Sequence, residues 1–355
     1  MSARASSAKD FPEGYRPPDS FPGAETAREG ILLGLSGGPD SMCLLDLLLA
    51  GGYPVTAVHV NHMIRGAEAD RDEEFCRTAA AERGIPFIPF RRDVPAAVKP
   101  GGKGLEEAAR DARYACFAEA AEKTGIRVIA TAHNSDDNAE TVLFNLARGC
   151  SARGACGIPP SRPFPEAGDG AVIVRPILGI SKSEVLAYCA EKGIKYVTDS
   201  TNSDISYSRN LIRLTVIPRL REINPSFGRA LLGFCASLRE DADSLDSEAG
   251  NFVSSGGCSA PGAAASLPDP VLSRAILFSA RAAGASPERR HVLELADAVR
   301  EHRSCAVTLP GSVRGEVTRD GRILFRRDGR IKKQKAIQDK ETERQDEPED
   351  VQHER

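Results

Sequence analysis

Short apolar runs alternate with longer amphipathic runs between residues 31 and 192. The short runs are apolar almost throughout, which is typical of parallel strands buried on both faces. The longer runs space their apolar residues as a helix does. This alternation predicts an α/β fold, in which helices cover both faces of a doubly wound, mainly parallel, five-stranded Rossmann-like sheet. The predicted strands are residues 31–35, 54–60, 85–91, 127–132 and 171–177.

After residue 224 the pattern changes. Helical spacing over residues 227–246, 270–283 and 287–301 predicts a small helical domain. Three short alternating runs follow, and the last two are joined by Asp320-Gly321, a favoured two-residue turn that predicts a short C-terminal β-hairpin. We therefore expect one domain at residues 30–224 and a second at residues 225–330.

Both ends of the chain have a composition that offers little to bury. Residues 1–29 are rich in Ser, Pro, Ala and Gly, and residues 331–355 are almost wholly charged or Gln. We expect a disordered leader and a disordered charged tail. No apolar run approaches the length of a membrane span, and the leader lacks a signal-peptide pattern.

The net charge and the cysteine content of the chain argue against some classes of ligand and metal site. The formal net charge of −3 gives no general argument for nucleic-acid binding, so any RNA contact has to come from a local basic patch. The nine cysteines include no C-x-x-C pair, which argues against a zinc ribbon or an iron–sulfur site of that spacing. Free thiols are the default expectation, and they indicate the reducing cytoplasm.

The turn after the first predicted strand reads Ser36-Gly37-Gly38-Pro39-Asp40-Ser41. Adjacent glycines let backbone N–H groups turn towards an anion, and the start of the following helix adds unpaired N–H donors. The turn is neither a Walker A loop nor a G-x-G-x-x-G fingerprint. It predicts a phosphate cradle, and the alternative is an ordinary glycine-rich turn.

Polar residues at the second strand end and in the next long helix add to this site. His59, Asn61 and His62 either bond a nucleotide or simply cap the strand end. Arg110 and Arg113 share a helical face, where they form either solvent ion pairs or a phosphate clamp, the latter favoured for Arg113.

A second concentration of chemistry follows the fourth strand. His133 precedes three carboxylates, Asp136, Asp137 and Glu140, at the start of a helix. Such a cluster can hold Mg²⁺, grip a substrate ammonium group or accept a proton, although acids here also suit the helix dipole. Farther on, Arg209 and Arg213 lie four residues apart on one helical face, a spacing that suits a phosphate of ATP or RNA.

The Ser36–Ser41 turn resembles the PP-loop of the N-type ATP pyrophosphatases. Over about residues 31–225 the chain resembles the tRNA(Ile)-lysidine synthetase family more specifically. The matching segments read S-G-G-P-D-S, H-V-N-H-M-I-R-G, E-E-A-A-R-D-A-R-Y, T-A-H-N-S-D-D-N-A-E-T, R-G-C-S-A-R-G and D-S-T-N-S-D-I-S-Y-S-R-N-L-I-R-L-T-V-I-P-R-L.

The resemblance implies a ligase that uses ATP and Mg²⁺ in the cytoplasm. ATP adenylates carbon 2 of the wobble cytidine in tRNA(Ile) with anticodon CAU, releasing pyrophosphate. Free L-lysine then displaces AMP to form lysidine, which changes decoding from AUG to AUA. A homodimer is compatible with this class of enzyme.

The resemblance also implies a role for each candidate residue. Asp40 would lie near Mg²⁺, Arg113 would balance phosphate charge, and His133 and Arg209 would complete the pocket. Asp137 and Glu140, with Asp136 behind them, would hold the lysine and take its proton. The phosphate and nucleotide contacts would come from Ser36, Gly37, Gly38, Pro39, Asp40, Ser41, His59, Asn61 and His62.

Two other functions stay open. A PP-loop enzyme that thiolates carbon 2 of a tRNA cytidine or uridine would share the activation step, but such enzymes usually carry the C-x-x-C pair that is missing here. A nucleotide-binding module without catalysis is the second alternative, and the intact Asp40, Arg113, Asp137 and Glu140 argue against it. The segment after residue 225 is short for the resemblance, since longer relatives carry a further tRNA-binding domain.

Overall fold

The computed structural model describes residues 11–98, 104–198 and 208–327. The chain forms two compact units, Met1–Leu238 and Arg239–Arg355. The boundary falls within one long helix, α10 (Phe227–Ser254), whereas the predicted domain boundary at residue 224 lies just before that helix. Predictions for the tail at 331–355 and for the D-S-T-N-S-D-I-S-Y segment at 199–207 lie outside the described residues.

A six-stranded sheet forms the centre of the first unit, in the order β3-β2-β1-β4-β6-β5. The five predicted strands are confirmed as the parallel part of this sheet. The sixth, β5, pairs antiparallel with β6. Its three residues lie in a Gly- and Pro-rich stretch without alternation, so the pattern did not reveal it. The strands are β1 Ile31–Gly34, β2 Val55–Asn61, β3 Phe87–Arg91, β4 Val128–Ala130, β5 Ser161–Pro163 and β6 Val172–Val174.

Helices pack on both faces of this sheet because consecutive strand residues point to opposite faces. Ile31 and Leu33 of β1 belong to one buried cluster with residues of α1, α2 and α7, whereas Leu32 belongs to another with residues of α4. The helices of the first unit are α1 Pro39–Ala50, α2 Ala67–Glu82, α3 Val94–Ala97, α4 Leu105–Thr124, α5 Ser135–Ala147, α6 Ala152–Ala155, α7 Lys182–Lys192, α8 Ser208–Leu211 and α9 Ile217–Ile223.

The strand order indicates where a ligand would bind. β1 and β4 are neighbours, and the connection after β1 runs towards β2 whereas the connection after β4 runs towards β6, so a crevice opens between the carboxyl ends of β1 and β4. The PP-loop turn follows β1, and the His133 segment follows β4, so the two strongest sequence signals meet at this crevice.

Residues 11–29 differ from the disordered leader that composition predicts. They form 3₁₀ turns at Pro18–Ser20 and Glu25–Arg28. Phe21, Ala24 and Ala27, each three residues apart, are fully or almost fully buried in the core of the first unit. This apolar spacing is too short and too interrupted by Pro and Gly to stand out as a helical pattern.

The second unit has its own core. The long helix α10, Phe227–Ser254, enters it, and α11 Asp269–Ala282 and α12 Arg289–Arg300 follow. The predicted β8–β9 hairpin is confirmed, and β7 pairs along β8 to complete a three-stranded antiparallel sheet. These strands are β7 Cys305–Leu309, β8 Val313–Val317 and β9 Ile323–Arg327. In the described parts of the chain, no helix is long and apolar enough to cross a membrane.

Candidate active site

The turn between β1 and α1 is shaped to present backbone N–H groups. Gly37 has φ +83°, and a Cβ there would lie 3.0 Å from Val197 Cγ2 and 3.1 Å from Cys76 Sγ, so only glycine fits. Gly38 caps the start of α1, and Pro39 occupies its first turn, where no N–H is needed. The loop therefore brings backbone N–H groups to a helix N-terminus, an arrangement that binds phosphate. The Gly38 N–H donates to the Ser36 hydroxyl at a long 3.4 Å.

The two serines of the turn have different roles. The Ser41 hydroxyl is buried, accepts a hydrogen bond from Ser36 N at 3.2 Å and donates to Gly38 O at 3.0 Å. It therefore holds the loop in shape. Ser36 is exposed, and its hydroxyl lies 3.2 Å from that of Ser41. Of the two predicted phosphate contacts, Ser36 is the one whose side chain faces solvent.

At the end of β2, His59 and Asn61 are hydrogen-bonded within the protein, whereas a ring nitrogen of His62 has no partner among the described residues. His59 is buried with Nδ1 2.8 Å from Leu35 O, so it supports the end of β1. Asn61 is only 2% exposed; its amide donates to Asp70 at 3.1 Å and to Glu73 at 3.4 Å, and its oxygen accepts from Met63 N. Its predicted contact with the nucleotide is therefore not available to the side chain.

His62 remains as the nucleotide-facing candidate at this strand end. Its Nδ1 is buried and has no hydrogen-bond partner among the described residues. Burial, with the charge of Arg113, lowers the pKa of His62 to about 4. The ring is therefore neutral at physiological pH and can offer a nitrogen to a ligand as donor or acceptor.

Asp40 lies at the centre of a polar network that links three helices. Asn134 Nδ2, before α5, donates to Asp40 Oδ1 at 2.9 Å, and Lys182 Nζ, from α7, donates to Asp40 Oδ2 at 2.5 Å. Sequence reasoning missed both partners. Asn134 looks like an ordinary helix cap, which it also is, and Lys182 looks like one residue of a capping box.

The carboxylates at the start of α5 face different partners. Asp136 accepts from Lys182 N at 2.9 Å and is also paired with Arg221, so it ties α5 to α7 and α9. Asp137 completes the capping box by accepting from Asn134 N at 2.9 Å. Asp136 was predicted as a catalytic residue, but both of its oxygens are engaged in holding helices together.

Asp137 and Glu140 form the acidic pair that the sequence predicts. Burial, followed by the charges of Asp40 and Glu140, raises the pKa of Asp137 to about 7. Burial also raises the pKa of Glu140, which is 7% exposed in its side chain and is paired through both oxygens with Arg213. Arg213 also lies 3.5 Å from Asp137 Oδ1. One guanidinium group therefore serves two carboxylates.

Arg213 lies in a π-helical turn, Ile212–Val216, between α8 and α9. Pro218 at the start of α9 has no N–H to offer the preceding turn, which favours this local widening. Arg209 and Arg213 were predicted to share a face. Arg209 instead pairs with Glu106 of α4 at 2.7 Å and stacks 5.5 Å from the Phe144 ring centroid, so the two arginines serve different helices.

Positive charge lines the side of the crevice formed by α4 and β6. Burial lowers the pKa of His133 to about 3, helped by Arg175, Arg113, Arg110 and Arg209. His133 is therefore neutral, and its Nδ1 lies 3.0 Å from the Thr131 hydroxyl. Arg113 makes no ion pair with any described residue, and both the surrounding protein and Arg110 lower its pKa. These properties fit the predicted role of Arg113, because its positive charge is available to an anionic ligand such as a phosphate.

The arrangement can bind a polyphosphate and handle a proton. Loop amides and Arg113 supply positive potential, and Asp137, half ionised near neutrality, can take a proton from an amine. No cluster of three or more metal-ligating side chains occurs in the part of the chain that the structure describes. Mg²⁺ bound to phosphates takes only one or two protein carboxylates, and substrate oxygens supply other ligands. Asp40, which is close enough to Asp137 to raise its pKa, is a carboxylate of the kind that could hold such an ion.

A sequence profile described as a PP-loop domain matches residues 17–220. A Parabacteroides distasonis protein named tRNA(Ile)-lysidine synthase is 45% identical over 196 residues, which cover 55% of this chain and 43% of that protein. A Geobacillus kaustophilus protein of the same name is 37% identical over 220 residues, 61% of this chain and 47% of that protein. The chain spans about half the length of these curated relatives.

Among solved structures, a U34-tRNA thiolase from Methanococcus maripaludis is similar with a TM-score of 0.49 at 20% identity. The match covers 59% of this chain and 72% of the thiolase.

Proposed function

The chain belongs to the PP-loop domain family, whose profile matches more than half of its residues, and from this premise we propose that it is an ATP-dependent tRNA(Ile)-lysidine synthetase. It would join free L-lysine to carbon 2 of the wobble cytidine in tRNA(Ile) with anticodon CAU. The products are lysidine, AMP and pyrophosphate. The relatives that carry this name support the proposal over the shared 55–61% of the chain.

The observation that carries the proposal is the acidic pair facing the phosphate loop. An enzyme that only splits ATP to AMP and pyrophosphate needs the loop and a cation. Asp137, with a pKa raised to about 7 beside Asp40, adds a group that can accept a proton at physiological pH. An amine substrate requires such a group, because only its neutral form is a nucleophile.

In the first step the cytidine O2 attacks the α-phosphorus of ATP and pyrophosphate leaves. The amides of Gly37 and Gly38 and the exposed Ser36 hydroxyl would hold the β- and γ-phosphates. Arg113 would offset charge that develops on the phosphates, and the unpaired His62 ring would contact the nucleotide. Bound Mg²⁺ would further neutralise the phosphates, held by Asp40.

In the second step the lysine ε-amine attacks carbon 2, and AMP leaves with the original oxygen. The lysine ammonium would displace Arg213 from Asp137, where the contact is 3.5 Å, while the closer two-oxygen pair with Glu140 persists. Asp137 would then take the proton that the amine must lose. Lys182, bonded to Asp40, would keep the phosphate loop and α7 in register.

Mass spectrometry of nucleosides tests the proposal directly. The protein is incubated with transcribed tRNA(Ile), ATP and isotopically labelled lysine, and we expect a cytidine that carries the labelled lysine. AMP release should require both tRNA and lysine. Turnover that ignores lysine would contradict the proposal, and a sulfur-containing pyrimidine formed with a sulfur donor would instead support the thiolation alternative. The absence of a C-x-x-C pair argues against that alternative.

A further inference from the structure

A single arginine side chain spans the acidic pair at the start of α5. Arg213 Nε and Nη2 each donate to one oxygen of Glu140, and the Nη2 contact is 3.0 Å long. The same Nη2 lies 3.5 Å from Asp137 Oδ1. One nitrogen of the guanidinium group therefore lies between the two carboxylates.

The two contacts of Arg213 differ in strength. The Glu140 side chain is only 7% exposed and receives a two-oxygen pair, which is the contact that a buried carboxylate needs. The Asp137 side chain is 29% exposed, and its Oδ1 lies beyond ordinary hydrogen-bond length from Nη2. The pair with Glu140 therefore holds the fold, whereas the contact with Asp137 can be exchanged for another cation.

Asp137 has one oxygen that is not used by the helix cap. Its Oδ2 accepts the hydrogen bond from Asn134 N that caps α5, at 2.9 Å. Oδ1 makes no hydrogen bond with a described residue, and Arg213 is the one described cation within ion-pair distance of it. The oxygen that is open to a substrate in the proposed reaction is therefore covered by Arg213.

The element that carries Arg213 is packed loosely. Arg213 belongs to the π-helical turn Ile212–Val216, none of whose residues is buried, and Leu214 and Val216 are exposed. Segments with little buried surface open locally at a small cost in free energy, and π-helical turns occur often at functional sites. A shift of this turn that takes Arg213 away from Asp137 needs no rearrangement of the buried clusters of the first unit.

The proposed chemistry needs such a cover, because water competes with lysine for the adenylated cytidine. Carbon 2 of that intermediate is open to any nucleophile that a base activates. If water attacks, its oxygen bonds to carbon 2, and the bond from carbon 2 to the AMP oxygen breaks. Both water protons pass to the base and to solvent, so that cytidine and AMP form. ATP is then consumed without lysidine.

We propose that Arg213 is a specificity residue, which covers Asp137 Oδ1 against water and gives way to the ammonium group of lysine. The inference rests on the proposed function, because it concerns the second step of that reaction. The lysine ammonium group carries the same charge as Arg213 and can replace it at Asp137, whereas a neutral water molecule gains no ion pair there. Arg213 stays on Glu140 in both states. AMP release thus becomes dependent on lysine.

The test measures AMP and lysidine formed by Arg213→Lys, with Arg221→Lys as the matched control. The first substitution keeps a cation for the buried Glu140, but a single ammonium nitrogen replaces the fork that reaches two carboxylates. Arg221 has nearly the same exposure, 39% against 38%, and pairs with Asp136 on the same helix. Each protein is incubated with transcribed tRNA(Ile) and ATP, with and without lysine. Without lysine, AMP release by Arg213→Lys should rise about fivefold over the wild type, and Arg221→Lys should match the wild type.

The ratio of AMP to lysidine separates this role from a structural one. A variant that is only destabilised makes less of both products and keeps the ratio, whereas loss of the cover raises the ratio at low lysine concentration. The ratio can be measured even for a partly folded variant, because both products come from the same active molecules.

Water labelled with heavy oxygen shows which atom is attacked. The lysine-independent reaction of Arg213→Lys should place the label in the cytidine, and Asp137→Asn added to Arg213→Lys should remove it. An unchanged ratio in a variant that forms lysidine, label found in AMP alone, or cytidine labelling that persists in the double variant would overturn the role of Arg213 and leave the proposed function standing. A wild-type protein that forms no lysidine would overturn the proposed function itself.

Discussion

The two sides of the crevice differ in whether their charged side chains are paired with opposite charges. On the acidic side, at α5 and the phosphate loop, Asp40 is paired with Lys182, Asp136 with Arg221 and Glu140 with Arg213. On the basic side, at α4, β5 and β6, no ion pair is found for Arg110, Arg113, Arg162 or Arg175 among the described residues. Both sides belong to the first unit and surround the same strand ends.

The difference separates residues that hold the fold from residues that bind ligands. A buried carboxylate without a cation is costly, so the acidic side brings its own partners and is stable before substrate arrives. An exposed arginine such as Arg110 or Arg113 is well hydrated and can stay unpaired until an anion approaches, whereas the buried Arg175 belongs with the residues that hold the fold. We therefore expect substitutions on the acidic side to affect both stability and catalysis, and substitutions on the basic side to affect catalysis or binding alone.

For the proposed function, the largest expected effect is on lysine transfer in Asp137→Asn. The amide keeps an oxygen that can accept from Asn134 N, but it cannot take a proton, so transfer should fall by about 10³-fold while adenylation continues. The adenylated intermediate and lysidine are quantified by mass spectrometry. Asp136→Asn is the control and should keep transfer within about tenfold, since its oxygens bind Lys182 and Arg221. Normal transfer in Asp137→Asn would remove this residue from the reaction.

Stability should distinguish two arginines that face the same crevice. Arg213→Gln leaves the buried Glu140 without its cation and should cost about 3 kcal/mol of unfolding free energy. Arg113→Gln removes an unpaired charge near Arg110 and should change stability by no more than about 0.5 kcal/mol. Urea unfolding, followed for the unit that contains the six-stranded sheet, measures both. Equal losses would contradict the division between the two sides.

The pH dependence of stability tests the protonation of Asp137. Its folded pKa is about 7 and its ordinary value is 3.8, so between these values the folded state holds more protons than the unfolded state. The Asp137 contribution to stability should therefore fall as pH rises from about 4 to 7, by about 1–2 kcal/mol for this partly exposed group. Wild type minus Asp137→Asn isolates this contribution from the opposite trends of His62 and His133. A flat difference would argue against a raised pKa.

Only a small effect on stability is expected for Arg209→Gln. The pair with Glu106 is exposed on both sides, so its loss should cost less than about 1 kcal/mol. If Arg209 also completes the pocket, lysidine formation will fall while the melting temperature stays near that of the wild type. Unchanged turnover would identify Arg209 as a surface residue only.

Local patterns predicted most of the fold. Burial on both faces of the strands and helical spacing between them located the five parallel strands and most long helices. β5 has three residues and no alternation, so no period could reveal it. The burial of Phe21, Ala24 and Ala27 was not predicted, because these residues lie on short turns rather than on a helix and so form no helical pattern.

The site residues could be predicted where they lie next to one another in the sequence. Ser36–Ser41 and His133–Glu140 are each one continuous segment of the sequence, so their spacing carried the prediction. Lys182 contacts Asp40 and Arg213 contacts Glu140, and the members of each pair lie far apart in the sequence, so no local pattern could predict these contacts. The π-helical turn also changed the outcome, because an α-helical count of four residues put Arg209 and Arg213 on one face.

The contact between Lys182 and Asp40 has a consequence for metal ions. The carboxylate is already paired with a cation of the protein, so in the function that we propose, folding of the loop would not depend on capture of Mg²⁺. Stripping divalent ions with a chelator should therefore leave the melting temperature unchanged, whereas a loop built on a bare carboxylate would weaken. If Asp40 holds Mg²⁺ as we propose, the ion would have to compete with the ammonium group of Lys182, which would favour its entry together with the ATP phosphates over entry alone.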